Sequence, residues 1–242
     1  MLYSDILSKV YQVLEGTLSA DEPLAKTSTS NEHITFGNSI KHWPLFPDTS
    51  EALVRLSAHF KLIVLSNVDR TSFRHTHALL SGEPYPTPES QLELYTYPDI
   101  NNNNNNSPYK YWHPKLQAGP NSKSPFTLIL TAQDTRCYKP ALGGFLTTLQ
   151  YINDHPDLFG KVPSKEQALD SIKDKVLSVA QSLTHDHEPA SELGLKSVWI
   201  DRQTAVTCNV TPGGPDAKDK WTWRFETLGE MADAVEKELA AK

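Results

Sequence analysis

The sequence predicts an α/β fold, a Rossmann-like three-layer parallel sheet core with a remnant helical cap at the N-terminus. Three observations predict it. Short, mainly apolar runs at Lys61 to Leu65, Phe126 to Leu130 and Val176 to Val179 have the length of strands buried on both faces. Segments with helical spacing alternate with these runs, the pattern of right-handed crossovers that lay helices on both faces of a parallel sheet. Polar side chains follow each run, Ser66 and Asn67 after the first, Lys139 after the second and Asp186 after the third. Parallel sheets bind ligands in the crevice outside such strand ends.

Along the chain, Leu2 to Leu14 places apolar residues at Leu2, Ile6, Val10, Val13 and Leu14, so Leu2 to Leu18 reads as one amphipathic helix. Asp21 to Thr35 is rich in Ser, Thr, Glu and Pro and reads as a loop. Residues 1–42 then form a partial helical cap, and 43–242 the core. The core runs through helix Thr49 to Phe60, strand Lys61 to Leu65, helix Ser72 to Leu80, strand Phe126 to Leu130 and helix Leu142 to Asn153. It continues with helix Ser164 to Asp174, strand Val176 to Ala180, helix Pro189 to Leu193, strands Ser197 to Ile200 and Trp221 to Phe225, and helix Leu228 to Ala240. An insertion near 82–125 interrupts it. Its centre, Asp99 to Lys123 with the run Asn101 to Asn106, cannot bury enough apolar area to offset its ordering entropy and reads as disordered or solvent-facing.

Composition narrows the partners. A net charge of −6 and the lack of any Lys/Arg run exclude an electrostatic footprint for nucleic acid. No basic segment precedes an apolar one at the amino end, and no run approaches the roughly 20 apolar residues of a membrane span, so a cytoplasmic protein is expected. Cys137 and Cys208 are too few for a disulfide framework and read as free thiols. Within His185-Asp186-His187-Glu188, adjacent residues rarely converge on one ion, so neither a metal nor another cofactor is expected. Trp43 and Trp199 read as packing residues, and the charged run near Lys218 as a solvated turn.

Ser66-Asn67, Tyr138-Lys139-Pro140 and Asp186 in Ser182-Leu-Thr-His-Asp186 resemble motifs two, three and four of the haloacid dehalogenase superfamily. The resemblance is closest to the type II L-2-haloacid dehalogenase branch and its fungal relatives, and it runs from about Phe36 to the C-terminus. Val198-Trp-Ile-Asp-Arg202 is similar to a further strand of that branch, and Trp43 to Thr49 to its entry helix. The resemblance implies catalytic roles for Lys139, holding the nucleophile and the developing charge, and for Asp186, orienting the Lys and the hydrolytic water without a metal. It implies that Ser66 and Asn67 bind a substrate carboxylate, with Tyr138 and Ser182 beside them. An Asn expected three residues before Asp186 is Leu183 here. The first motif, Asp-x-x-Gly-Thr-Leu, supplies the nucleophile; Glu15-Gly16-Thr17-Leu18 has Val13 where the Asp would stand, and it lies on the helical pattern. The chain is therefore expected to begin after the nucleophile, exposing the edges of two neighbouring strands.

Three functions fit. The first is C–halide hydrolysis of a small 2-halocarboxylate, impaired by the missing nucleophile. The second is a non-hydrolytic enzyme of fungal secondary metabolism, a source that the asparagine run also suggests, rearranging, cyclising or isomerising its substrate with Lys139 and Asp186 as acid–base groups. The third is an inactive fragment. The expected partner is a small carboxylate, with a homodimer as the assembly.

Overall fold

A computed structural model describes residues 2–21, 31–98, 109–160, 172–202 and 220–241. Asn101 to Asn106, most of the helix expected at Ser164 to Asp174, Cys208 and the turn near Lys218 lie outside the described residues. Helix α1 (Tyr3–Asp21) crosses α2 (Glu32–Gly37), which occupies part of the stretch expected as a loop. The crossing is close. A β-carbon on Gly37 would overlap the Ser4 carbonyl and the Ser8 hydroxyl, so only glycine fits there. Tyr11 meets Phe36 at 5.3 Å between ring centroids, while Val10, Val13, Leu14 and Leu18 of the same helix remain exposed.

The core follows as α3 (Thr49–Ser57), β1 (Leu62–Ser66), α4 (Arg70–Leu80), the short α5 (Glu89–Leu92) and α6 (Pro114–Gln117), β2 (Phe126–Thr131), α7 (Ala132–Thr135) and α8 (Gly143–Asp154). After α9 (Pro156–Phe159) come β3 (Leu177–Ala180), a π-helical turn (Leu183–His187), α10 (Glu188–Glu192), β4 (Lys196–Ile200), β5 (Trp223–Phe225) and α11 (Leu228–Ala240). Every ladder between these strands is parallel, as expected. The single sheet is not. β1 pairs with β2, and β3, β4 and β5 form a separate sheet in that order.

Two helical layers hold the half-sheets together. On one face Ala52 and Leu56 of α3 and Met231 and Ala232 of α11 pack with Val198 and Ile200 of β4, and Leu62 of β1 packs against the same cluster. On the other, Phe145, Leu149 and Ile152 of α8 pack with Ala190 and Leu195 and reach Ile63 and Leu65 of β1. Alternate residues of β1 thus serve opposite layers, the period of two that a strand imposes. At the carboxyl ends, Arg202 donates to both oxygens of Asp48 at 2.6 and 3.2 Å and to the Thr49 hydroxyl, and it stacks on the Phe46 ring. Asp48 also accepts from the backbone N–H of Leu228 and Gly229. Burial alone would raise the Asp48 pKa, but the Arg202 guanidinium and these N–H groups outweigh it and leave the value lowered.

The expected solvent-facing insertion needs correction at its flanks. Leu92, Tyr95, Tyr111, Trp112 and His113 are buried, and the Ile129 N–H donates to the Trp112 carbonyl at 2.9 Å, capping the outer edge of β2. The Tyr97 hydroxyl donates to Asp134 at 2.8 Å, beside the Arg70–Asp134 ion pair. Aromatic side chains gain enough on burial to order flanks whose overall composition is polar. Among the described residues no helix is long and apolar enough to cross a membrane.

Two predictions follow from this packing. His77, His113 and His187 are fully buried, and burial pushes all three pKa values down, that of His77 to about 3. An unfolded chain protonates these rings near pH ~6.5, so below that pH the unfolded state binds more protons. Stability should fall as pH drops, by up to ~1.4 kcal/mol per pH unit for each histidine. Urea unfolding at pH 7.5, 6.5 and 5.5 should show this slope, shallower in His77→Phe. The second concerns Asp48→Asn, which leaves the Arg202 guanidinium largely buried without its charge partner. It should lower unfolding free energy by about 3 kcal/mol in the same assay.

Candidate functional site

The expected site residues lie at the carboxyl ends of the strands, on three connections. β1 ends at Ser66, one residue earlier than a turn would begin, and Ser66 pairs with Thr131 at the end of β2. Beyond Thr131 a capping box opens α7: the Asp134 carboxylate accepts from the Thr131 N–H and hydroxyl, both at 2.7 Å. Arg136 then adopts a left-handed conformation, φ 52°, that turns the chain back over the sheet and delivers Lys139. The peptide bond from Lys139 to Pro140 is cis.

Lys139 is held at both backbone and side chain. Its N–H donates to the Asn67 Oδ1 at 2.7 Å, and the Asn67 Nδ2 donates to its carbonyl at 3.0 Å. Its ammonium donates to the Leu65 carbonyl at 2.8 Å and to the Asp186 Oδ1 at 2.7 Å. Both charged side chains are largely withdrawn from solvent. An ammonium has three N–H groups, so one remains without an acceptor among the described residues.

Asp186 sits on the π-helical turn, a geometry often found at functional sites. Ser182 caps that turn by accepting from the His185 N–H at 3.1 Å, and its carbonyl accepts from the Asp186 N–H at 3.1 Å. His187 fixes the turn from beneath, its Nε2 donating to the Ala180 carbonyl at 3.0 Å and its Nδ1 lying 3.0 Å from the Ser197 hydroxyl. Burial pushes the pKa of this imidazole down. The Oδ2 atom of Asp186 has no partner among the described residues.

Ser66, Asn67, Lys139 and Asp186 therefore meet, although 120 residues of sequence separate the first from the last. The Asn67 amide exchanges two hydrogen bonds with the Lys139 backbone, and the Ser182 hydroxyl caps its own turn. The Ser66 hydroxyl accepts from the Val68 N–H at 3.2 Å and keeps its own proton for donation. Tyr138 is half exposed, and its hydroxyl has no partner among the described residues.

Other residues at this end carry no motif yet shape the site. Asp69, buried three residues past Ser66, caps α4 by accepting from the Ser72 N–H at 2.9 Å and hydroxyl at 2.8 Å. It also accepts from the Tyr3 N–H at 2.7 Å, which fixes the start of α1 beside the site. A short acid followed by Ser three positions later is the local signal that could have found the cap. The long-range bond to Tyr3 has no local signal. No group of three or more His, Cys, Asp or Glu among the described residues could hold a metal ion. A divalent cation fits poorly at Asp186, because its Oδ1 already faces the Lys139 ammonium.

No model of a known protein family and no curated protein sequence matches this chain. Solved structures do match. A magnesium-bound HAD-hydrolase assignment, YfnB of Bacillus subtilis, aligns over 97% of this chain and 73% of its own, with a TM-score of 0.52 at 12% identity. A HAD phosphatase from Thermococcus onnurineus aligns over 86% and 65%, TM-score 0.45, 17% identity. A 2-haloacid dehalogenase from Pseudomonas syringae pv. Tomato DC3000 aligns over 98% and 72%, TM-score 0.43, 14% identity. At such identities the first of these likenesses extends to the fold alone: the chain shares the Rossmann-like α/β fold of that structure.

Proposed function

We propose that this hydrolase-fold protein binds a small carboxylate on Lys139 and Ser66, and that its related chemistry is C–halide hydrolysis of small 2-haloacids. The Lys139 ammonium carries the reading. It is anchored on one side by the Leu65 carbonyl and on the other by Asp186, and one N–H remains; Ser66 follows Leu65 in the chain, and its hydroxyl keeps a proton to donate. A fixed cation with a free N–H suits a carboxylate oxygen, and partial burial strengthens the pairing over that in water. Hydrolysis demands more. An oxygen nucleophile must bond to the α-carbon while halide leaves with the C–X electron pair, and in the covalent route a carboxylate attacks and water later releases the ester. Among the described residues the carboxylate in contact with Lys139 is Asp186, tied to that cation by one oxygen, so displacement by these groups is impaired.

The free Asp186 Oδ2 favours a second reading. A carboxylate with one oxygen on a fixed cation and the other open can accept a proton, so rearrangement, cyclisation or isomerisation of a bound acid needs no covalent intermediate at this site. Lys139 would stabilise the charge that develops on the substrate.

Calorimetric titration of the 242-residue protein with 2-chloropropionate should show millimolar binding, at least tenfold weaker in Lys139→Ala, and halide release should stay at the buffer rate. Equal binding by Lys139→Ala would remove the site. Turnover that disappears in Asp186→Asn would overturn the impaired displacement and make Asp186 the reacting group. Asn67→Ala deletes both bonds that hold the Lys139 backbone. At roughly 1 kcal/mol each, their loss should weaken carboxylate binding by up to about 30-fold and lower the melting temperature, since the loop is held there.

A further inference from the structure

His187 closes the π-helical turn that carries Asp186, and it is fully buried. Its partners fix where its protons sit. The Ala180 carbonyl, 3.0 Å from Nε2, can only accept, so Nε2 carries a proton. In the neutral ring Nδ1 is then bare and accepts from the Ser197 hydroxyl at 3.0 Å. That hydroxyl, itself buried, has a second acceptor in reach, the Lys220 carbonyl at 3.2 Å. One hydroxyl proton cannot serve both. If Nδ1 gains a proton it donates to the Ser197 oxygen, and the hydroxyl turns to the Lys220 carbonyl. The ring thus keeps partners on both nitrogens in either charge state, and the rotation of one O–H bond separates the two arrangements.

The charges on the elements packed against His187 pair with one another. Asp186, on its own turn, pairs with the Lys139 ammonium at 2.7 Å, and Glu188, at the start of α10, with the Lys220 ammonium at 2.7 Å. β3 presents the Ala180 carbonyl. β4 presents Ser197, and its neighbour Lys196 points to the opposite face, exposed, as does Glu192 at the far end of α10. The other titratable group of the turn is His185, whose Nδ1 lies 3.0 Å from the Ser182 hydroxyl. A proton on His187 therefore takes the Lys139, Asp186, Glu188 and Lys220 cluster from net zero to one positive charge, one residue away from the Asp186 carboxylate.

We propose that His187 and Ser197 form a proton-operated switch on the carboxylate site, in which protonation of the ring tightens the binding of a carboxylate at Lys139. With His187 charged, Asp186 is shared between two cations and offsets less of the Lys139 charge, so more of it acts on the ligand. Burial lowers the pKa of the ring while the Asp186 charge opposes that shift, which places the change below the usual pH of about 6.5. The proposal rests on Lys139 as a carboxylate donor and adds its regulation.

Calorimetric titration of the full chain with 2-chloropropionate, an acid that stays ionised throughout, should give a dissociation constant about threefold lower at pH 5.0 than at pH 7.5. By linkage, saturating 2-chloropropionate should raise the His187 midpoint, followed by the ring 15N shifts, by about 0.5 pH unit, the logarithm of the same factor. His187→Gln can still donate to the Ala180 carbonyl but takes no proton, and it should bind the acid equally at both pH values. Ser197→Ala leaves a protonated Nδ1 without an acceptor and should move the His187 midpoint to lower pH. If His187→Gln does not fold, the shift of the midpoint in the native chain decides. Binding that is the same at both pH values, with a midpoint unmoved by the ligand, overturns the switch and leaves the small-carboxylate reading standing. A gain at low pH that survives His187→Gln and vanishes in His185→Gln assigns the effect to His185 and overturns it as well. Absence of binding at both pH values removes the small-carboxylate reading, and the switch with it.

Discussion

The Lys139 ammonium joins two half-sheets that share no backbone hydrogen bond among the described residues. It reaches the last part of β1 through the Leu65 carbonyl and the connection after β3 through Asp186. The helical layers hold the strands at their faces, but a face contact is non-directional and leaves the edges free to slide. A charged, directional bond at one end sets how the strand ends meet. That makes the position of Lys139 a structural requirement as well as a chemical one, and Asn67 secures it from the backbone side.

Three further polar knots gather at the same end of the sheets. Asp48 joins α3 to the end of β4 through Arg202 and to α11 through the Leu228 N–H; Asp134 joins the insertion to α4 and β2 through Tyr97, Arg70 and Thr131; Asp69 joins α1 to α4. Each carboxylate accepts from at least two different segments. Ion pairs of this kind are weak evidence for added stability, because desolvation offsets the Coulomb gain. Their effect is to fix geometry, and removing one partner leaves a charge without compensation. The loops over the strand ends are thereby held to a scaffold, the condition for a site whose donors stay in place.

Where the sequence and the structure agree, local chemistry decided the outcome. Asp69 and Thr227 start their helices because a short acceptor side chain satisfies the first free N–H groups, and α11 begins and ends where its spacing predicts. The alternation of Leu62 and Val64 with Ile63 and Leu65 between layers follows from strand geometry. Where they differ, a partner distant in the chain intervened. Asn67 carries no local sign that the backbone of Lys139, 72 residues away, bonds to its amide. Trp112 sits in a polar insertion, yet it is buried because β2 offers it an edge.

The sequence by itself determined the strand and helix periods, the parallel α/β class and the three polar strand ends, because hydrophobic spacing and short motifs act over a few residues. Only the tertiary structure decided that the described strands divide into two sheets and that the Asn67 amide and the Ser182 hydroxyl bond to backbone groups. Those outcomes depend on which groups reach within about 3 Å of one another after folding, and hydrogen bonds at that range carry no trace in the spacing of residues along the chain.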